Sequence, residues 1–290
     1  MRGPGRHGPS TLVFLLPWLL TFGIFALWPL LDSLWVSFTR YNPIQGPPRF
    51  TGLENYARLL KDPVFWTSLR ITLVFVIGTI PLTTVGALLV ALALNRHLPM
   101  RALFRAGWFM PTIVSMVVVS LVFKNFYSPF GFLNALLKLV GLPPHNWLQD
   151  PNTALGAVML MDVWAAVGYY AVIFLAGLQA IPAELYEAAA LDGGAGWRRH
   201  WHITLPLLKS TTLFILVINT IRSFQVFIEI FVMTRGGPLN STMTTVYYLY
   251  DRAFNSFELG YASALAWALF AVTLGASLLY VRVLRQREAA

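Results

Sequence analysis

Residues 71–94 read ITLVFVIGTIPLTTVGALLVALAL, 24 positions without a charged side chain. As a helix rising about 1.5 Å per residue, this run is about 36 Å long, enough to cross the roughly 30 Å hydrocarbon layer of a bilayer. A surface helix of a soluble protein keeps one polar face. Here only scattered threonines interrupt the apolar surface.

Outward from this run the pattern repeats. Ser10 to Leu31 and Leu259 to Val281 also carry no charge. With three further apolar stretches, six spans are expected, at 12–34, 71–94, 107–123, 154–180, 211–233 and 261–281. The third is short, with Pro111 expected in its first turn, where proline is tolerated. The fourth and fifth are interrupted by Asp162 and Arg222. Arg2 and Arg6 before an apolar run resemble a secretory signal, but the run is too long and no small-x-small cleavage site follows it, so an uncleaved first span is expected. The composition agrees. Of 290 residues 57% are hydrophobic and 11% charged, and mean hydropathy is +0.64. This excludes a disordered chain and a soluble globule, and the lack of cysteine excludes a disulfide scaffold. The net charge of +9 does not signal a nucleic-acid binder, which needs a wet, charged face. The expected fold is all-α, a single transmembrane domain over 1–290 with six membrane-crossing helices.

The bases instead report orientation. The segments on the side of the termini hold 11 Lys and Arg in 62 residues, against 9 in 93 on the other side. The positive-inside rule therefore places both termini in the cytoplasm. On the outer side, Leu53, Tyr56, Leu59 and Leu60 share one helical face, as do Phe132, Leu136, Leu137 and Val140. Both segments read equally as interfacial helices and as loops packed on the bundle. Thr234–Pro238 (TRGGP) reads as a tight turn after the fifth span.

The 181–210 loop is the longest cytoplasmic segment. Glu184 to Leu191 reads as a helix with Glu184 and Glu187 near its N-terminus, where carboxylates favour the helix dipole. Gly193 and Gly194 end it. Trp197 to Leu205 is amphipathic and aromatic, and Pro206 is expected to stop it. A helix–glycine turn–helix unit suits docking, with Arg198 and Arg199 as anchors. A cap with no partner fits the pattern equally well.

Glu187-Ala188-Ala189, three residues ending in Asp192, Gly193, nine residues, then Ile203-Thr204-Leu205-Pro206 resembles the EAA motif of ABC importer permease subunits. Every fixed position of that motif is present. Further matches narrow the resemblance to carbohydrate permeases: Phe109-Met110-Pro111, Ala180-Ile181-Pro182 with Leu185-Tyr186, Ser223–Phe227, Gly236-Gly237-Pro238, Tyr250–Phe254 and Gly260-Tyr261-Ala262. Together they cover about residues 10–285 and are closest to the first permease subunit of maltose-type and glycerol-phosphate-type systems. The chain departs from the usual pattern at Arg222 and Ile228. The resemblance implies a type I importer permease fold and makes 181–210 a coupling loop seated in an ATPase subunit, through Glu187, Ala188, Ala189, Asp192, Gly193, Ile203, Leu205 and Pro206. It also implies a second permease subunit, two ATP-binding subunits that hold ATP and Mg, an extracytoplasmic substrate-binding protein, and a place in a bacterial or archaeal cytoplasmic (inner) membrane.

The chain has no G-x-x-x-x-G-K-[ST] phosphate loop, so no cofactor is expected in it and ATP hydrolysis belongs to other subunits. No catalytic residue is expected. His200 and His202 are two apart and face different ways on a helix, so no metal site is expected either. Ionisable groups inside spans are different. Each costs about 2.5–3.5 kcal/mol at the bilayer centre and needs a partner or a wet cavity. Asp32 and Glu229 lie near outer ends, where they can snorkel or pair. Asp162, Ala165, Ala166 and Tyr169 fall on one face of the fourth span. Asn219 and Ser223 are four apart on the fifth, beside Arg222. Small residues, an aromatic ring and hydrogen-bonding groups suit a sugar. By resemblance, Thr112 and Met116 join that set as substrate contacts. An Asp162–Arg222 ion pair tying two spans together fits the same residues. Glycerol-3-phosphate as cargo, with Arg222 as its anion ligand, stays open, as does a proton-coupled carrier using Asp162 and Glu229.

Overall fold

The structure, a computed structural model, describes residues 9–96, 99–191 and 196–286. The first expected span is a pair of helices, α1 (Pro9–Phe22) and α2 (Trp28–Ser37), continuous through a π-helical turn at Gly23–Leu27. A two-stranded antiparallel ribbon follows, β1 (Thr39–Arg40) with β2 (Arg49–Phe50), pairing Thr39 with Phe50. Next come α3 (Glu54–Lys61), α4 (Pro63–Leu94), α5 (Arg101–Ile113), α6 (Met116–Phe126), α7 (Phe132–Leu139) and α8 (Ala154–Gln179). The segment after α8 contains α9 (Ala183–Leu191), α10 (Trp197–Arg199), a π-helical turn at His200–Thr204 and α11 (Leu205–Leu207). The remainder is α12 (Lys209–Phe224), α13 (Ile228–Met233), α14 (Thr245–Tyr250), a π-helical turn at Asp251–Asn255 and α15 (Leu259–Gln286).

Among the described residues, five helical segments are long and apolar enough to cross a membrane: Phe14–Ser37, Pro63–Leu94, Ala154–Gln179, Lys209–Met233 and Leu259–Leu279. The third expected span, 107–123, is not one straight helix. Ala102–Ile113 and Met116–Phe126 meet at 98°. Pro111 sits near the end of α5 rather than in a first turn. It has no N–H for the carbonyl of Gly107, and the β-branched run Thr112-Ile113-Val114 has little helix preference. Val114 (ψ 140°) and Ser115 (ψ 132°) then take extended backbone. The two outer segments with one apolar face fold as α3 and α7.

The chain forms two compact units, Met1–Asp62 with Leu249–Ala268, and Pro63–Tyr248 with Leu269–Ala290. In the first, buried Asn55 donates through Nδ2 to the carbonyls of Ser37 and Thr39, both at 2.8 Å, fixing α3 to the ribbon. Arg58 makes a bidentate pair with Glu258 at 2.9 and 3.0 Å and lies over the Tyr261 ring. Gly260 permits the start of α15 to approach the ribbon, since a Cβ there would stand 2.0 Å from the Thr39 carbonyl oxygen.

The core of the second unit is α4 packed along α8. Phe75, Val158, Met161 and Ala165 are buried in one cluster. Ala87, Ala91, Ala166, Tyr170 and Phe174 are buried in the next. Small residues allow this approach: Gly86 faces Val167, and Gly78 faces the Met159 side chain. The threonines of α4 do not break its apolar character, because Thr72 and Thr79 donate to the carbonyls of Ser68 and Phe75 one turn back.

Candidate functional site

The break between α5 and α6 opens a cavity of about 380 Å³ against α8. Thr112, Val114 and Met116 come to its wall from the two sides of the break. Ala165, Ala166, Tyr169 and Tyr170 come from α8, and Arg222 from α12. The backbones of α5 and α8 are brought together at Gly168. A Cβ there would lie 1.8 Å from the carbonyl oxygen of Trp108, so only glycine allows this approach. Tyr169, next in sequence, is half exposed. Thr112 spends its own hydroxyl on the carbonyl of Phe109 at 2.6 Å.

Behind this wall lies a charge cluster. Arg222 grips Asp162 in a bidentate pair, Nη2 to Oδ1 at 2.6 Å and Nη1 to Oδ2 at 3.3 Å. The Asp162 side chain is almost fully buried, while that of Arg222 is one-third exposed. Glu229 of α13 stands 3.8 Å from the same Nη2. Of the two expectations for Glu229, snorkelling or pairing, the structure shows pairing: it is 6% exposed and belongs to this cluster. Three residues, 225–227, separate α12 from α13, so Arg222 lies in the last turn of one helix and Glu229 in the first turn of the next. Formally, two carboxylates surround one guanidinium.

Of the nine residues proposed from the sequence as substrate contacts, Thr112, Met116, Ala165, Ala166, Tyr169 and Arg222 line this cavity. Asp162 is held behind Arg222. Asn219 and Ser223 are buried elsewhere, at the α4–α12 contact: Ser223 Oγ donates to Asn219 Oδ1 at 3.4 Å and lies 3.5 Å from Thr79 Oγ1. Asn219 Nδ2 is buried with no hydrogen-bond partner among the described residues. Pro111, Val114 and Tyr170 line the cavity and were not proposed. The local signal for Pro111 and Val114 was the composition of 111–114 at the break; Tyr170, on α8, left none.

At the far ends of α8 and α12 lies the segment carrying the EAA pattern. Glu187 and Ala188 on α9 are exposed, and Ala189 is half-buried. Asp192 and Gly193 lie outside the described residues. Ile203 falls in the π-helical turn, and Leu205 and Pro206 in α11, so Pro206 lies inside a helical turn instead of stopping one. The segment is tied together at Thr204, whose Oγ1 lies 3.2 Å from Tyr186 Oη and 3.3 Å from His200 Nδ1. Arg199 stacks over the Tyr186 ring. Burial lowers the pKa of the His200 imidazole below its usual 6.5, helped by the positive charges of Arg199 and Arg96. His202 Nδ1 donates to the Arg198 carbonyl at 2.9 Å. Where the segment joins the core, Gly177 of α8 allows Thr211 and Leu208 to pack closely, with an added Cβ only 2.7 Å from Thr211 Oγ1.

Residues 72–288 match the family described as binding-protein-dependent transport system inner membrane component. The trehalose/maltose transport system permease protein MalF of Thermococcus litoralis is 36% identical over 287 residues, covering 98% of this chain and 96% of the relative. The sn-glycerol-3-phosphate transport system permease protein UgpA of Brucella abortus is 34% identical, covering 94% of each. Among solved structures, a bacterial ABC transporter that imports the acidic polysaccharide alginate has a chain similar in fold, with TM-score 0.84 and 23% identity over 96% of this chain and 95% of that one. The chain therefore belongs to the binding-protein-dependent transport system inner membrane components, as a multi-pass inner-membrane permease subunit.

Proposed function

We propose that this permease subunit carries an uncharged oligosaccharide through the cavity between α5, α6, α8 and α12. The observation that supports this reading is the state of Arg222. Its guanidinium is already engaged by Asp162 at 2.6 Å and flanked by Glu229 at 3.8 Å. A phosphate or carboxylate on the cargo would meet a cation whose charge is already answered, and a surplus carboxylate beside it. A sugar needs neither. The Tyr169 ring offers an apolar face, and the polar edge of Arg222 offers donors to hydroxyls.

The drive comes from outside the chain. Partner ATPase subunits bind ATP and Mg and seat the 183–207 segment, which lies on the cytoplasmic side with both termini. A second permease subunit completes the pathway, and a substrate-binding protein delivers sugar to the outer loops. Covalent continuity makes the transmission direct. The segment joins the end of α8 to the start of α12, and both helices carry cavity residues. Ala165 and Arg222 each lie about 20 Å along their helices from it. A shift of the segment therefore moves two walls of the cavity together.

The test is a ligand scan in proteoliposomes holding the complete importer. Neutral di- and trisaccharides on the binding protein should stimulate ATP hydrolysis and enter the vesicles. Stimulation by glycerol-3-phosphate alone would overturn the assignment of a neutral cargo. Uptake driven by a proton gradient without ATP would overturn the whole mechanism.

A further inference from the structure

Arg105 is a base that the transport pathway does not use. It lines a second pocket of about 410 Å³, away from the cavity described above, together with Leu94, Trp108, Val172, Leu175 and Gln179. Its Nε and Nη2 atoms are buried and have no hydrogen-bond partner among the described residues. Among the described residues no carboxylate lines the pocket, whose walls are otherwise almost wholly apolar. Two donors left this way are expensive, and an anion at the pocket wall would answer the charge of the half-buried Arg105.

Depth and shape narrow the anion. Leu94 is the last residue of α4, Gln179 the last of α8, and Arg105 lies in the second turn of α5. The polar end of the pocket therefore sits where three membrane helices end, at the level of lipid headgroups. From there Leu175 and Val172 lead about 10 Å along α8 toward the hydrocarbon. Val172 and Trp108 are nearly half exposed, so the wall is open to its surroundings. The ligand must carry an anion at one end and a hydrocarbon chain at the other. We propose that this pocket holds an acidic phospholipid, its phosphoryl oxygens on Arg105 and Gln179 and one acyl chain along Leu175 and Val172.

The test uses the complete importer in bilayer discs of mixed phosphatidylglycerol and phosphatidylcholine. After extraction, the lipids that remain bound are counted by mass spectrometry. Wild type should retain phosphatidylglycerol enriched about tenfold over the bulk ratio, the scale of a charge-assisted hydrogen bond. Arg105→Gln should lose the enrichment, and Arg105→Lys should keep part of it. Val172→Trp fills the exposed end of the wall without touching Arg105 and should lower retention of both lipids, which keeps the proposal testable if Arg105→Gln fails to assemble. Millimolar inorganic phosphate should not displace the lipid. Equal enrichment in wild type and Arg105→Gln, or displacement by phosphate alone, would overturn the proposal. So would an unenriched wild type whose partner permease dissociates on Arg105→Gln, since Arg105 would then be answered by a carboxylate of that subunit.

Discussion

Around Asp162 and Arg222, α8 and α12 meet with their charges answered inside the chain, in a setting where Asp162, Ala165 and Ala166 are all buried. At the other ends of the same two helices, Glu187, Arg198 and Trp201 face outward. The first region resembles a protein core and the second a surface built for contact. What separates them is where each polar group finds its partner. In the core the partner is supplied by this chain, so substitutions there act on folding. On the proposed docking of the 183–207 segment to an ATPase subunit, its polar groups find their partner there, so substitutions in it act on transport.

The largest break in this contrast should come from Arg222→Met, which leaves Asp162 buried and unpaired. A loss of about 3–5 kcal/mol is expected, seen as a large drop in thermal stability of the purified complex. Adding Asp162→Leu should recover most of it. If the double variant is no better than the single, the two residues do not act as a pair. Gly168→Ala comes next. Its Cβ must push the Trp108 carbonyl away from α8, an overpacking effect of about 1–3 kcal/mol, read by thermal unfolding and by the yield of folded protein.

At the outward-facing end the order of effects reverses. Glu187→Ala should change stability by less than about 0.5 kcal/mol, as exposed positions do, yet abolish ATP-driven uptake. Unchanged uptake would remove the segment from the coupling path. The smallest effect is pH-dependent. His200 has a pKa below 6.5 in the folded segment and about 6.5 when released, so the released state binds the extra proton. Docking of the segment is then intact above about pH 6.5 and weakens as pH falls through that value toward the folded pKa. Protection factors of the 199–208 amides, taken relative to the intrinsic exchange rate at each pH, should be lower at pH 5.5 than at pH 7.5, and His200→Gln should flatten the difference.

How much of this was legible in the sequence follows from which physical signal each feature left. Long charge-free runs identify spans because the bilayer demands them, and 71–94 needed no context. The period of 3.6 placed Asp162, Ala165, Ala166 and Tyr169 on one side of α8, and three of these line the cavity with Asp162 just behind. The bend at Val114–Ser115 was lost because hydropathy averages across it, although Pro111 and the β-branched run marked it. Asn219 and Ser223 also share a helical face, but that face turns to Thr79 of α4. In an apolar helix, polarity alone does not say which neighbour a hydroxyl will meet. Arg105 lies between the expected second and third spans and is one of the 11 bases that report orientation. Its burial depends on the closeness of α5 to α8, which no local pattern records.

The most direct test of the account is sugar uptake by the complete importer carrying Tyr169→Ala, measured beside ATP hydrolysis stimulated by the loaded binding protein. Tyr169 is half exposed on the cavity wall and far from the 183–207 segment, so folding and stimulated hydrolysis should persist. Uptake should fall at least about tenfold, the loss of one aromatic stacking contact and its packing. Wild-type uptake by a properly assembled Tyr169→Ala complex would contradict the placing of the sugar in this cavity.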